Sequence, residues 1–397
     1  MTLADLEAVV RQYLLLEDKY IIRLISAFIV ATRLPIKPPW LFIVAGSSGG
    51  KSTLLQSLEE ITGVVTRDDF TVASFVTGMR GQEGIIQKML PNAVLVVKDL
   101  SMIMSKDEKV RAEILGILRQ LYDGSYQKSY GNGVGIDWKG KMSLLAGTTT
   151  KIYPLLYQFS ALGERYLLYS FLQPNRKDAT RKSLEDSGMK DGQSEKDLAN
   201  AFKLFIDGIN IPNTLPATDP SILDDIIDLS ELVTRARSVV ERDHRDPKKG
   251  ITHIHDLEMP MRFAKQILAI TYGLIVLNGT TTLTDDDKKL VYKLTLDCIP
   301  PIRRMCLKKL VQYKTVPTRA LADVLQIPTP LVQQTLHDLS ILGIITRMPG
   351  KNKDEWELKP EYKEILSKYE GIKTTEETME EETADRNLYM EAEEVFS

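Results

Sequence analysis

Cysteine is almost missing from this chain: 397 residues contain two, Cys298 and Cys306, eight positions apart in a stretch with helical spacing. That spacing suits neither a zinc site nor a disulfide framework, so a reducing, cytoplasmic setting is the default expectation. Histidine is nearly as scarce, and His253-Ile-His255 has no Cys or His partners with which to complete a metal site. Long apolar runs are also lacking. The longest, near Ile267 to Leu277, is too short for a bilayer span. No basic flank followed by an unbroken apolar stretch opens the chain, so no signal peptide is expected. The net charge of −3 conceals an asymmetry, because residues 370–397 alone carry ten acids against Lys373 and Arg386. The rest of the chain is therefore mildly basic, which permits a nucleic-acid partner without requiring one. A hydrophobic content of 43% is ample for real cores, and the length suggests two domains.

What the chain does have is a strand, a small-residue loop and a helix in immediate succession. Leu41 to Val44 reads as a buried parallel strand, the loop runs from Ala45 to Gly50, and a helix begins at Lys51. This is the order of a nucleotide-binding P-loop. Gly46, Ser47, Ser48, Gly49 and Gly50 let successive N–H groups and the helix N-terminus face a triphosphate, and Thr53 continues the helix. Lys51 can reach the β and γ phosphates, and Ser52 can place its hydroxyl on Mg²⁺. One departure is visible: Ala45 stands where the first glycine of G-x-x-x-x-G-K-[ST] belongs. The expected ligand is ATP or GTP, with Mg²⁺.

Residues 3–34 read as one helix ended by Pro35, Pro38 and Pro39. Val64 to Val72 can form a strand, and Ala93 to Val97 is a second buried strand. A helix follows, with Ser105 as its N-cap, Glu108 completing a capping box, an apolar face of Val110, Ile114, Leu115, Leu118 and Leu121, and Gly124 at its end. From Ser125 to Lys141 the pattern is a β-hairpin with a glycine-rich tip, and Met142 to Ala146 is a third buried strand. Residues 174–196 are polar, and helices resume at about 196–207, 220–243, 258–277 and 284–298. From Pro301 to Tyr369 the order is three helices and a short hairpin. Its expected core is Leu321, Ala322, Leu325, Ile327, Val332, Leu336, Leu339, Gly343, Ile344 and Ile345, that of a winged helix-turn-helix. Thr318 or Thr329 can cap a helix there, and Met348 to Asp354 is the expected wing tip.

The second nucleotide element should be acidic and should end an adjacent strand. Asp99, after Val94-Leu-Val-Val-Lys98, is the one acid available, able to serve near Mg²⁺ or as the group that polarises water. The missing second carboxylate predicts slow hydrolysis or a substitute such as Asp107 or Glu108.

The run from Ala93 to Thr150 resembles the AAA+ ATPases of the minichromosome-maintenance (MCM) helicase clade, nearest to the short forms of phages and mobile elements. In that clade a Walker B strand, a helix, a hairpin and a sensor-1 strand follow in this order. The resemblance covers roughly 36–172 and 257–368. It puts Lys98 at the first Walker B acid and Asp99 at the glutamate, Tyr126 to Trp138 at the hairpin, and Thr148 or Thr149 at the sensor asparagine. Leu162-Gly-Glu-Arg165-Tyr resembles the arginine-finger segment, and Pro260-Met-Arg262-Phe the lid helix with its sensor-2 arginine. It implies an α/β fold: a P-loop AAA+ domain with a parallel sheet and helical lid, followed by a small winged helix-turn-helix domain. The implied organisation is an N-terminal helical segment (1–34), an AAA+ core (35–173), a linker with helical lid (174–300), the winged helix (301–369) and an acidic disordered tail (370–397). It further implies a homo-oligomer, as a hexameric ring, because an arginine finger acts across subunits.

Lys128 and Tyr130 beside the hairpin tip, with Lys139 and Lys141 on its return, are the expected DNA contacts, lysines for phosphates and aromatics for stacking. The presumed recognition helix offers Gln333, Gln334 and His337 but no Lys or Arg; basic residues sit outside it, at Arg303, Arg304, Lys308, Lys309, Arg319 and Arg347. Backbone contact or docking of a replication protein, on the winged helix or the tail, stays open. The expected function is an ATP-driven DNA translocase or helicase in replication. The alternative is an ATP-controlled initiator or helicase loader that binds DNA without processive unwinding, and a winged-helix regulator with a nucleotide sensor is a third reading.

Overall fold

The computed structural model describes residues 1–46, 50–75, 84–131, 135–155, 165–171, 193–242, 251–254, 257–349 and 354–370, together with 177, 178, 180, 181, 184, 383, 385 and 386. The protein is a mixed α/β chain that divides into two units, residues 1–217 with 265–283, and residues 218–264 with 284–397.

The first unit is built on a five-stranded sheet. Its strands are β1 (Trp40–Val44), β2 (Val64–Arg67), β3 (Asn92–Val97), β6 (Lys141–Thr148) and β7 (Leu167–Ser170), in the order β2-β3-β6-β1-β7. Every pairing is parallel. All five residues of β1 are buried, as are five of six in β3, because helices cover a parallel sheet on both faces. The three strands expected from their apolar runs are therefore present, and they are neighbours.

The N-terminal stretch is two helices, α1 (Leu3–Tyr13) and α2 (Ile21–Arg33), where one was expected. Asp18 causes the break. Its Oδ1 accepts from the N–H groups of Tyr20 and Ile21 and from the Tyr169 hydroxyl at 2.8 Å, so the buried carboxylate starts a new helix and ties it to β7. Residues 1–34 do not stand apart; α2 is buried on nearly every side, and its Thr32 hydroxyl meets that of Ser143 on β6 at 2.6 Å. The crossovers use α3 (Lys51–Gln56), α4 (Val72–Phe75), α5 (Ile85–Lys88), α6 (Ser101–Met104) and α7 (Glu108–Asp123). Gly124 ends α7 with φ +101°, as expected, but Ser105 is not its N-cap. Ser105 closes α6, and Asp107 precedes α7 without a side-chain cap. Ile114, Leu115, Leu118 and Leu121 form the buried face of α7, while Val110 is exposed.

Between α7 and β6 stands the expected hairpin, β4 (Ser125–Ser129) on β5 (Gly135–Lys139). Gly140 anchors its base: a Cβ there would lie 2.5 Å from the Pro91 carbonyl oxygen. The unit is completed by α8 (Gln193–Asp207) and by the larger part of a later helix, α10 (Met261–Asn278).

The second unit contains α9 (Pro220–Arg237), the hairpin β8 (Val240–Arg242) with β9 (Ile251–Ile254), and α11 (Asp285–Asp297). These lead into α12 (Pro301–Leu310), β10 (Val316–Pro317), α13 (Thr318–Leu325), α14 (Thr329–Ile341), β11 (Ile345–Met348), β12 (Glu355–Leu358) and α15 (Pro360–Glu370). The small sheet is antiparallel in the order β10-β12-β11. The predicted apolar positions of this part are buried, from Leu321 to Ile345. Neither threonine caps a helix. Pro317 and Pro328 hold the cap positions, and Thr318 Oγ1 instead accepts from the Trp356 indole at 2.8 Å. The division also departs from the expected lid: α8 and most of α10 belong with the large sheet, and α9 and α11 with the C-terminal helices. The acidic tail is not wholly without structure, because Asp385 is buried in this second unit. No helix among the described residues is long and apolar enough to cross a membrane.

The packing of α10 on α2 depends on Gly273, where a Cβ would lie 2.1 Å from the Ala27 carbonyl oxygen. Gly273→Ala is expected to destabilise the chain by about 1–3 kcal/mol, the range for overpacking a filled core. Urea unfolding checks this, and an unchanged midpoint would mean that the two backbones can separate freely.

Candidate functional site

The carboxyl ends of β1, β6 and β3 lie side by side, with Val44 level with Thr148 and Ala146 level with Val97. In open α/β sheets this edge is where ligands bind. Gly50 turns the chain into α3 in the left-handed conformation, φ +76°, and the next residue is Lys51. Ser47, Ser48 and Gly49 lie outside the described residues. Gly46 and Gly50 bracket them, and Ser52 is exposed in the first turn of α3, followed by Thr53.

Lys51 is only 7% exposed. Its ammonium donates to the Thr148 carbonyl at 2.5 Å, the same oxygen that accepts from Ala45 N–H at 3.1 Å. Burial holds its pKa below the usual lysine range, while the negative charge of Asp99 opposes that shift. A cation, a carboxylate and an inward carbonyl thus meet where β1 and β6 end.

This convergence requires Gly147. A Cβ there would sit 2.4 Å from the Lys98 carbonyl oxygen, 2.9 Å from Leu55 Cδ1 and 3.2 Å from Lys51 Cδ. The backbones also bond, Leu100 N–H to Gly147 O at 2.7 Å. Sequence reasoning passed over this glycine, although a glycine inside an apolar strand signals close approach. Of the two sensor candidates, Thr148 is buried. The Thr149 hydroxyl is buried too and has no hydrogen-bond partner among the described residues.

Asp99 is half-buried, and its Oδ1 accepts from Ser101 N–H at 2.9 Å, which leaves the other oxygen for chemistry. Lys98 is turned to a structural task. Its ammonium donates to Gln56 Oε1 at 2.7 Å and pairs with Asp68, joining the end of α3 to the end of β2. Asp107 and Glu108, the substitute acids, are exposed at the start of α7. For Mg²⁺ the donors offered are the Ser52 hydroxyl and the Asp99 carboxylate. That set fits the ion, which keeps several waters and is completed by substrate phosphates.

The remaining expected residues do not join this cluster. Arg165 is 6% exposed; its guanidinium lies on both oxygens of Asp123 at 3.2 Å and over the Tyr122 ring at 5.3 Å. Arg262 is exposed in the second unit. On the hairpin, Lys128 leans toward Glu113 at 3.9 Å and over Tyr130 at 5.5 Å, while Tyr126 and Trp138 are buried beneath. Lys139 is exposed, and Lys141 turns to the Leu34 carbonyl at 3.4 Å, at the opposite edge of the sheet from Lys51. In the C-terminal helices Arg303, Arg304 and Lys308 are engaged with carboxylates inside the unit, and Arg347 pairs with Asp354 at 2.5 Å. His337 packs edge-on against Trp356 at 5.2 Å, so of the three polar residues read for base contact Gln333 alone is exposed. Both cysteines are buried thiols outside any disulfide, and burial pushes the Cys306 thiol up to about 12.

Two substitutions test the site. Lys51→Ala is expected to abolish nucleotide binding measured by calorimetry, since Lys98, a cation nearby among the described residues, is held by Gln56 and Asp68. Gly147→Ala is expected to weaken binding at least about 10-fold, because the added methyl must part β6 from Lys98 and the Lys51 stem. Native affinity in either variant would move the site elsewhere. No family model matches this chain and no curated protein matches it, so the case for its chemistry rests on this geometry.

Proposed function

We propose that this chain is a P-loop ATPase of the AAA+, MCM-like type that acts on DNA as an oligomer. One observation carries the nucleotide reading: Lys51, Thr148 and Asp99 converge at the carboxyl edge of a parallel sheet, after a loop of small residues. Lys51 would neutralise the phosphates, Ser52 and Asp99 would hold Mg²⁺ with its waters, and Thr149 would orient the attacking water. Mg²⁺ would supply charge neutralisation between the phosphates. The helix–strand–helix–helix–strand–strand order of the C-terminal part supports a winged helix-turn-helix.

Lys98 favours the initiator or loader over the processive helicase. It occupies the position where the resemblance expects a second acid, and it is locked to Asp68 and Gln56. A single carboxylate supports ATP binding and slow turnover better than rapid cycling. The hairpin agrees, because among its basic residues Lys139 is the one that is fully exposed.

Asp99→Asn is expected to bind ATP nearly as the parent does and to hydrolyse it at least about 10²-fold more slowly, the usual share of a positioned acid or base. Parent-like turnover would remove Asp99 from the mechanism. Strand displacement then separates the two roles. ATP-dependent assembly on DNA without displacement is the expected result, and processive unwinding would establish the helicase.

Arg165 tests the ring. If its guanidinium leaves Asp123 to serve a neighbour, mixing Arg165→Ala with Lys51→Ala restores part of the activity in verified mixed particles. If it belongs to the fold, as its burial favours, Arg165→Ala lowers the melting temperature and mixing restores nothing.

A further inference from the structure

A carboxylate from the tail enters the charged interior of the second unit. Helix α12 turns Arg304 and Lys308 inward, 1% and 9% exposed. Arg304 donates to Asp297 Oδ1 at 2.8 Å, but Asp297 also serves Lys293 at 2.7 Å. The carboxylate that joins Arg304 to Lys308 is Asp385, at 2.5 Å and 3.1 Å. It is 3% exposed, although it stands in the most acidic stretch of the sequence. Among the described residues, Lys293, Arg304 and Lys308 thus pair with Asp297 and Asp385, the latter delivered from fifteen residues beyond the end of α15.

The site has shape as well as charge. Beside the seated segment is a recess of about 250 Å³, walled by Met305 and Lys309 of α12, by Val324 and Leu325 of α13, and by Thr383 and Arg386 of the tail. Two cations on one carboxylate at this depth select an ionised acid, because an amide leaves charge uncompensated in the interior. The twelve residues between Glu370 and Thr383 can span roughly 40 Å. A tether of that length gives its own ligand an effective concentration on the order of millimolar.

We propose that the groove between α12 and α13 is a docking site for an aspartate-bearing acidic segment, and that its resident ligand is this chain's own Thr383–Arg386. The tail is then a tethered ligand. A free segment of the same chemistry enters only after Asp385 has left.

The test uses the full-length chain and a labelled synthetic peptide covering residues 379–391. Asp385→Ala, which empties the groove, is expected to bind the peptide at least 10-fold tighter than the parent, with binding that weakens as salt rises. The same peptide with asparagine in place of its aspartate should not bind, and Asp385→Ala combined with Lys308→Met should lose the binding. Equal affinity for parent and Asp385→Ala, or equal binding of the asparagine peptide, overturns the proposal. The unaltered protein supplies an independent measure, hydrogen exchange along the tail. Residues 383–386 should exchange more slowly than residues 372–380; uniform fast exchange throughout overturns the docking.

Discussion

Between β3 and β6 two backbones approach so closely that one position tolerates no side chain. Gly147 is that position, and the consequences spread from it. With no Cβ in the way, Lys98 brings its carbonyl against β6, Leu100 bonds to Gly147 O, and the stem of Lys51 lies along the same surface. The lysine is thereby buried and aimed at the Thr148 carbonyl, with Asp99 close enough to act on its charge. A lysine held in this way is pre-organised for an anionic ligand. The cost of fixing a long side chain is met during folding, and the ligand need not meet it on binding.

The second unit answers a different constraint, charge enclosed in a small core. Arg242 and Arg303 share Asp338, while Lys293, Arg304 and Lys308 share Asp297 and Asp385. Buried pairs of this kind contribute little net stability, but removing one partner is costly, roughly 3–5 kcal/mol. Such networks specify which segments must meet. Here they bind α12 to α11 and to the tail, and β8 to α14. The same pairing explains why Arg303, Arg304 and Lys308, which look available in the sequence, are not available on the surface.

Much of the first unit was legible in the sequence because its signals are local. The three apolar strands, the αL glycine after α7 and the hairpin strands were each announced by a period or a punctuating residue, and each is present. The buried apolar positions of the C-terminal helices were legible for the same reason, an alternation of buried positions over short helices. What was hidden depends on distant partners. Asp18 splits the first helix because Tyr169 and two backbone amides converge on it, 151 residues separating the carboxylate from that tyrosine. The resemblance places Arg165 in an arginine-finger segment, and nothing in its own stretch of sequence shows that Asp123 and Tyr122 enclose it. Asp385 looked like one more charge in a solvated tail. No window on the chain contains both ends of any of these contacts.

Lys98 shows how far a position in a motif can depart from its usual chemistry while the fold is kept. A second acid there would face Asp68 across the end of β2, two like charges at close range with Gln56 between them. The lysine replaces that repulsion by an ion pair and ties the end of α3 to the end of β2. The gain is structural: α3 has only six residues, and its last one is pinned from outside the helix. If the chain binds a nucleotide as proposed, the loss would fall on Mg²⁺, which would have Asp99 as a protein carboxylate and take the rest of its shell from water, Ser52 and phosphate. Binding would survive such a trade, because it would rest on Lys51 and the start of α3. Turnover is what the trade would weaken, since the transition state needs charge held at the γ-phosphate and a water held in line. On the proposed reading, this arrangement would suit holding a nucleotide as a signal better than consuming it at speed.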